Sequence, residues 1–407
     1  MRDRKALLIV IFSGLIVLIS MGVRQSLGLF LAPITGDLGI GRESFSLAMA
    51  LHNLLFGLPL LGILADRYGA RWILVLGGLF YGAGFLIVSA LGSPGGLFLG
   101  IGVLTGLALS GSSYVVVLGA VAQVIAPARR STVFGMVTAA GSFGMFALIP
   151  GAQWLLERYS WQGAFVALAG LVGLISLLGL GFPVRSAKRA GRVDASEGFD
   201  SLAVVLSKAR THSGYLLLVA GFFVCGFHVA FIATHMPAFL TDNGISGPVS
   251  ATALSLIGIF NIFGSLAFGR LGDRYRKKYL LSLLYGLRAV VLSLFLLLPL
   301  TNTTAILFGG AIGFLWLATV PLTSGTVAQI FGSRYLSTLY GIVFLSHQIG
   351  AFFGVWLGGR IYDSTGSYTI VWLAAIALSV IATLIHLPIT DQPYARTLQP
   401  QVAAETV

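Results

Sequence analysis

The chain has 407 residues, of which 57% are hydrophobic and only 9% charged, where a soluble domain carries about 25% charged residues. So few charges cannot cover a water-facing surface of this size, which excludes a soluble enzyme or binding domain and predicts an all-α, polytopic membrane protein. The net charge of +12 reads as topology signal in loops rather than as a nucleic-acid surface, and with one cysteine, Cys225, there is neither a disulfide framework nor a cysteine metal site.

The chain opens Met1-Arg2-Asp3-Arg4-Lys5 and enters an apolar run too long for a signal h-region, read as an uncleaved first span. A spanning helix needs roughly 20 apolar residues. Twelve such runs follow, at 6–34, 44–64, 72–92, 95–124, 132–156 and 162–183, then 213–240, 249–270, 279–300, 303–330, 336–360 and 367–388. The organisation expected is two pseudo-symmetric six-helix bundles, 1–184 and 213–390, joined by a polar cytoplasmic loop, 185–212, and followed by a cytoplasmic tail, 391–407. The loop carries Lys188, Arg189, Arg192, Lys208 and Arg210.

Charge sets the orientation. Arg2, Arg4, Lys5, Arg67, Arg71, Arg129, Arg130, the loop basics, Arg270, Arg274, Arg276, Lys277, Lys278, Arg334 and Arg396 fall on one side of the spans. Arg42, Arg158 and Arg360 fall on the other. The rule that cytoplasmic loops are basic predicts both termini in the cytoplasm and a multi-pass protein of the cell inner membrane.

One loop occurs twice. Gly62-Ile-Leu-Ala-Asp66-Arg67-Tyr68-Gly69-Ala-Arg71 ends the second run, and Gly269-Arg-Leu-Gly-Asp273-Arg274-Tyr275 ends the eighth, at a constant offset (269 − 62 = 207; 273 − 66 = 207). The glycine is expected to admit a close helix approach, and the Asp-Arg pair to hold a charged turn. Ser131-Thr-Val-Phe-Gly135 parallels Ser337-Thr-Leu-Tyr-Gly341 in the same way. Gly102, Gly106 and Ser110, and again Gly350, Gly354 and Gly358, recur four apart, as helix-packing faces do in lipid. The repeated loop resembles the one between helices two and three, and again eight and nine, of the major facilitator superfamily. That resemblance implies a twelve-helix transporter in which Gly62, Asp66, Arg67, Gly269, Asp273 and Arg274 form a conformational gate.

Polar residues at membrane depth are functional candidates. None of the thirteen Asp and Glu lies mid-span. The buried ionisable candidates are Arg24, Arg288, His52, His228, His235 and His347, which points to an anionic cargo. Arg24 stands near the midplane, suited to grip a carboxylate through two parallel hydrogen bonds or, alternatively, to bond backbone carbonyls. Arg288 lies mid-span in the ninth run, a peripheral support in the superfamily the chain resembles, which implies that it ties that helix to its neighbours, against the alternative of touching cargo. His228 and His235 share one face of a helix that Pro237 should kink and that should line a cavity. With His347 they are the candidate proton carriers, against the alternative of satisfied core histidines. Tyr114, Asn53, Asn261, Trp316 and Thr319 could orient a small cargo or simply pack.

Further stretches resemble the monocarboxylate-transporter branch: Ser26-Leu-Gly-Leu-Phe30-Leu-Ala-Pro33-Ile34, Pro127-Ala-Arg129-Arg130-Ser131 with Gly141-Ser-Phe-Gly144, and Gly358-Gly-Arg-Ile-Tyr362-Asp363 with Gly366-Ser-Tyr368. The resemblance implies carriage of a small carboxylate with a proton, a basic helix-one residue at Arg24, and a size-controlling aromatic near Trp316. The branch's Asp-Arg pair in helix eight is replaced by Asn261 and Ser265, so its usual ion pair is missing. The expectation is a monomeric secondary transporter of a small organic anion by proton symport. It works in the lipid bilayer without cofactor, metal or nucleic acid, and a proton-coupled drug or metabolite exporter is the alternative. With no nucleotide loop and no catalytic cluster, an enzyme is not expected.

Overall fold

The computed structural model describes residues 2–58, 60–183, 202–332 and 335–393, and all described secondary structure is helical. Helix α1 (Arg2–Ser26) runs through a 3₁₀ turn, Leu27–Phe30, into α2 (Leu31–Leu38). Then come α3 (Arg42–Phe56), α4 (Leu60–Tyr68), α5 (Ala70–Leu91) and α6 (Pro94–Leu97), which widens into a π-helical stretch, Phe98–Thr105, before α7 (Gly106–Ser112) and α8 (Tyr114–Val124). The first half ends with α9 (Pro127–Arg158) and α10 (Trp161–Leu180). The second half holds α11 (Leu202–Thr211), α12 (Ser213–Asp242), α13 (Gly247–Arg274), α14 (Lys277–Leu297), α15 (Asn302–Phe314), α16 (Thr319–Phe331), α17 (Leu336–Thr365) and α18 (Thr369–His386).

Eleven runs among the described residues are long and apolar enough to cross a bilayer. The second expected span is divided instead into α3 and α4, each shorter than the roughly 20 residues a crossing needs. Side chains such as Leu177, Leu297 and Leu307 are 64%, 79% and 66% exposed. That exposure suits acyl chains as solvent and would be costly in water.

Two expectations need correction. Within the stretch expected to be a polar loop, Leu202–Thr211 is a helix that buries Val205 and Ala209, four apart, and packs on α12. The remaining loop basics, Lys188, Arg189 and Arg192, lie outside the described residues, as do Arg334, Arg396 and the tail beyond 393. In the second copy of the repeated loop, Gly269 faces open space; the close approach is made by Gly272, against Leu322 of α16.

The glycine spacing on α17 has a direct cause. A methyl group at Gly350 or Gly354 would overlap the carbonyls of Phe223 and Phe227, so these glycines let α17 lie against the backbone of α12. Contacts between the two halves run along α3 with α17, α9 with α13, and the Leu27–Phe30 turn with α12. By contrast α4 packs on α5, α7 and α8, and α16 on α12, α13, α14 and α17, each within its own half.

Candidate functional site

Four of the helix interruptions free backbone groups inside the bundle, and buried polar side chains satisfy them. A bare carbonyl or amide in the hydrocarbon region costs several kcal/mol, so each interruption needs a partner. Between α3 and α4, the Leu58 carbonyl accepts from Ser110 Oγ at 2.9 Å. Between α7 and α8, the Ser112 carbonyl accepts from Ser20 Oγ at 3.1 Å. In the π-helical stretch, His52 Nδ1 lies 2.8 Å from Thr105 Oγ1 and 3.2 Å from the Ile101 carbonyl. Between α15 and α16, Arg288 takes the freed carbonyls: Nε and Nη2 donate to Leu315 at 3.3 and 2.7 Å, and Nη2 also to Trp316. Asn261 completes the same repair, its Oδ1 accepting from the Leu317 amide at 2.9 Å. Its Nδ2 donates to Ser142 Oγ at 3.0 Å, across to the first half.

These bonds account for most of the buried polar candidates. Arg288 ties its helix to a neighbour, as expected. Asn261 and Trp316 belong to the break in the tenth expected span, and Thr319 Oγ1 sits 3.3 Å from Cys225 Sγ. Tyr114 starts α8, with its hydroxyl against Gly141.

The histidines stand elsewhere than expected. Helix α12 does line a pocket, but with Ala230, Ala233 and Thr234. His228 and His235 occupy its opposite side. His228 Nε2 donates to the Ala375 carbonyl at 2.8 Å. His235 Nε2 donates to the Val355 carbonyl at 2.8 Å, and its Nδ1 lies 3.1 Å from the Tyr368 hydroxyl. The shared face was correctly spaced, but it binds α17 and α18 rather than a cavity; Pro237 sits within a continuous α12. His347 is different. Its ring stacks on Phe344 with centroids 5.7 Å apart. Phe344 meets Phe56 edge-on at 5.9 Å, and Arg24 lies over Phe56 at 5.2 Å.

Arg24 is the charged group that faces the pocket between the halves. The pocket is lined by Arg24, Gln25, Gly28, Met49 and Asn53 from one half and by the three α12 residues from the other. No acidic side chain is among them. Its free volume is about 10 Å³, on the order of one water molecule. Arg24 Nη2 donates to Asn53 Oδ1 at 2.5 Å and Nη1 to Gln25 Oε1 at 3.2 Å. Nε is buried without a partner. Of these residues Gln25 and Thr234 were not singled out from the sequence, because an uncharged polar residue in a long apolar run carries no positional signal of its own.

At the predicted outer end the halves are clasped by charge. Arg42 grips Asp242 with two bonds, 2.6 and 2.7 Å, donates to the Tyr368 hydroxyl at 2.9 Å, and lies over the Tyr362 ring at 3.8 Å. Asp363 accepts from the amides of Arg42 and Glu43 at 2.9 and 2.8 Å, capping the start of α3. Glu43 accepts from Arg360 at 3.0 Å and from Trp356 Nε1 at 3.1 Å. The sequence signals for this clasp were that Arg42 and Arg360 break the charge asymmetry and that Tyr362, Asp363 and Tyr368 lie in one of the branch-resembling stretches. At the opposite end Gly62 and Arg67 lie in α4, Gly69 turns the chain with φ +92°, and Asp273 and Arg274 close α13, exposed. The Asp66 side chain lies outside the described residues.

The same arrangement of helices occurs in solved transporters. A nucleoside transporter superposes with TM-score 0.73 at 16% identity, covering 95% of this chain and 99% of that one. A D-xylose-proton symporter does so with TM-score 0.73 at 14% identity, covering 96% and 98%. Such low identity speaks for the fold alone. Among curated sequences, mouse monocarboxylate transporter 12 is 28% identical over 77% of this chain and 70% of its own. Rat monocarboxylate transporter 13 is 26% identical over 90% and 85%. An uncharacterised transporter of Bacillus subtilis, YcxA, is 24% identical over 92% of each. The family model for the Major Facilitator Superfamily matches residues 13–332. The chain belongs to that superfamily: it is a multi-pass membrane protein and a secondary-active transporter of a small solute, not an enzyme.

Proposed function

We propose that the protein carries a small organic anion, a monocarboxylate, across the cell inner membrane with protons, by alternating access. The observation that carries this reading is Arg24: a guanidinium in the pocket between the halves, with no carboxylate among the residues lining it. Guanidinium and carboxylate match edge to edge. Two of the curated relatives are named as monocarboxylate transporters, which agrees with the same cargo class.

In this reading α3 and α4 are one interrupted crossing. That makes twelve spans in two six-helix bundles, 1–184 and 213–390, with both termini cytoplasmic and one chain as the working unit. The clasp of Arg42, Asp242, Glu43, Arg360 and Asp363 closes the outer end. Gly62, Asp66 and Arg67 with Gly269, Asp273 and Arg274 serve as the gate at the other end. Tyr114, Asn261, Trp316 and Thr319 shape the site from behind by holding its broken helices, and His228 and His235 hold α12. His347 is the candidate proton carrier, its ring stacked on Phe344, which packs edge-on against the Phe56 ring beneath Arg24.

Uptake of labelled lactate, pyruvate, acetate and benzoate into proteoliposomes tests this. Uptake is expected to rise at low external pH, and His347→Gln is expected to abolish that rise. Failure of the protein to carry any of these anions rejects the cargo class. A full pH response in His347→Gln rejects that residue as the proton's carrier.

A further inference from the structure

The Arg24 guanidinium offers a carboxylate one good edge, and an amide already holds half of it. The Nε and Nη2 hydrogens point the same way, from one edge of the planar group, and a carboxylate takes both at once. In the structure Nη2 donates to Asn53 Oδ1 at 2.5 Å, while Nε beside it is buried and unpartnered. The amide cannot flip away freely, because Asn53 Nδ2 donates to the Met49 carbonyl of its own helix at 2.9 Å. That bond turns Oδ1 toward Arg24. An anion that takes Nε and Nη2 together therefore competes with Asn53 Oδ1 for Nη2.

We infer that Asn53 is an internal stand-in for the cargo, a neutral ligand that keeps Arg24 satisfied while the carrier reorients with no anion bound. The inference rests on the reading of Arg24 as the anion's ligand. A carrier that performs net transport must cross back unloaded, and an unpaired guanidinium at membrane depth opposes that step. A loaded carrier crosses with the anion in place and has no need of Asn53. The amide oxygen suits the part because it bonds strongly enough to satisfy Nη2 yet, being uncharged and single, is outcompeted by a bidentate carboxylate. Asn53 is thus a positioning residue for the unloaded half of the cycle.

The experiment compares net uptake with exchange in proteoliposomes. The same four labelled carboxylates are offered either to anion-free vesicles or to vesicles preloaded with the unlabelled anion. In Asn53→Ala, net uptake is expected to slow about tenfold or more, the cost of leaving one charged donor unmet. Exchange should fall much less, so that the ratio of net uptake to exchange drops about tenfold relative to the unaltered protein. Asn53→Asp, which pairs Arg24 with a carboxylate that does not leave, should lose both modes. If Asn53→Ala does not elute as a monodisperse species, Asn53→Ser is used, its hydroxyl being too short to reach Nη2. Equal loss of net uptake and exchange in a folded variant would overturn the inference by making Asn53 an ordinary ligand or support. Unchanged net uptake would overturn it as well. Failure of the unaltered protein to move any of the anions in either mode would instead defeat the reading of Arg24 itself.

Discussion

Arg24 and Arg288 are two guanidiniums at membrane depth, neither facing a carboxylate, and their partners separate them. Arg288 is 1% exposed; its Nε and Nη2 donate to the carbonyls of Leu315 and Trp316, fixed groups of a broken helix, and its Nη1 is buried without a partner. Arg24 is half-buried at a pocket and bonds only the side-chain amides of Asn53 and Gln25. Backbone carbonyls cannot leave; side-chain amides can. A buried cation held by backbone maintains the fold, whereas one held by side chains is available to a ligand.

The largest effect expected from this contrast falls on stability at Arg288. Arg288→Met leaves two carbonyls without donors, at about 1–3 kcal/mol each. Its melting temperature should therefore fall well below that of Arg24→Met, measured by thermal unfolding in the same detergent. Equal melting temperatures would erase the distinction. Next comes the clasp. Its pair, Arg42 with Asp242, is partly exposed, with side chains 11% and 28% accessible. Partial exposure screens the attraction, so breaking it is worth about 1 kcal/mol. Arg42→Ala should open the outer end more often, seen as several-fold faster labelling of a cysteine placed at Ala233 by an external thiol reagent. A charge swap of the two residues should slow it again. Labelling that does not respond would deny that the clasp holds the outer end.

The smallest effect is at the other end, outside the spans. Asp391 accepts from Arg276 at 2.6 Å. Burial alone would raise its pKa, but the Arg276 hydrogen bond and charge outweigh that and hold it below the usual carboxylate value. A folded pKa below the unfolded one stabilises the fold above about pH 4 and loses that contribution as pH falls through the folded value. With Arg276 largely exposed, solvent screens the pair and its contribution is the smallest of the three. Asp391→Asn should therefore lower the melting temperature slightly near neutrality, converge with the unaltered protein at low pH, and so flatten the acid limb of the profile. A profile identical to that of the unaltered protein would mean the pair contributes nothing.

The spans were legible because lipid allows little else: a long apolar run must be helical, so composition alone locates it. Breaks were harder. Ser112-Ser113 and Leu315 to Ala318 look like any other part of their runs, and what permits the break is a partner far away in sequence, Ser20 in one case and Arg288 with Asn261 in the other. The same reason explains the histidines. Spacing put His228 and His235 on one face, but only packing decides which neighbour that face meets. Arg24 stood out because charge in an apolar run is conspicuous. Asn53 gained its meaning only when the fold brought it within a hydrogen bond of Arg24.

The most direct test is a comparison of lactate with lactamide, its uncharged isostere, as competitors for uptake by the unaltered protein and by Arg24→Gln. With Arg24 as the anion's ligand, lactate competes and lactamide does not, and a correctly folded Arg24→Gln loses that discrimination along with most uptake. An Arg24→Gln protein that still prefers the anion and transports at full rate would contradict it.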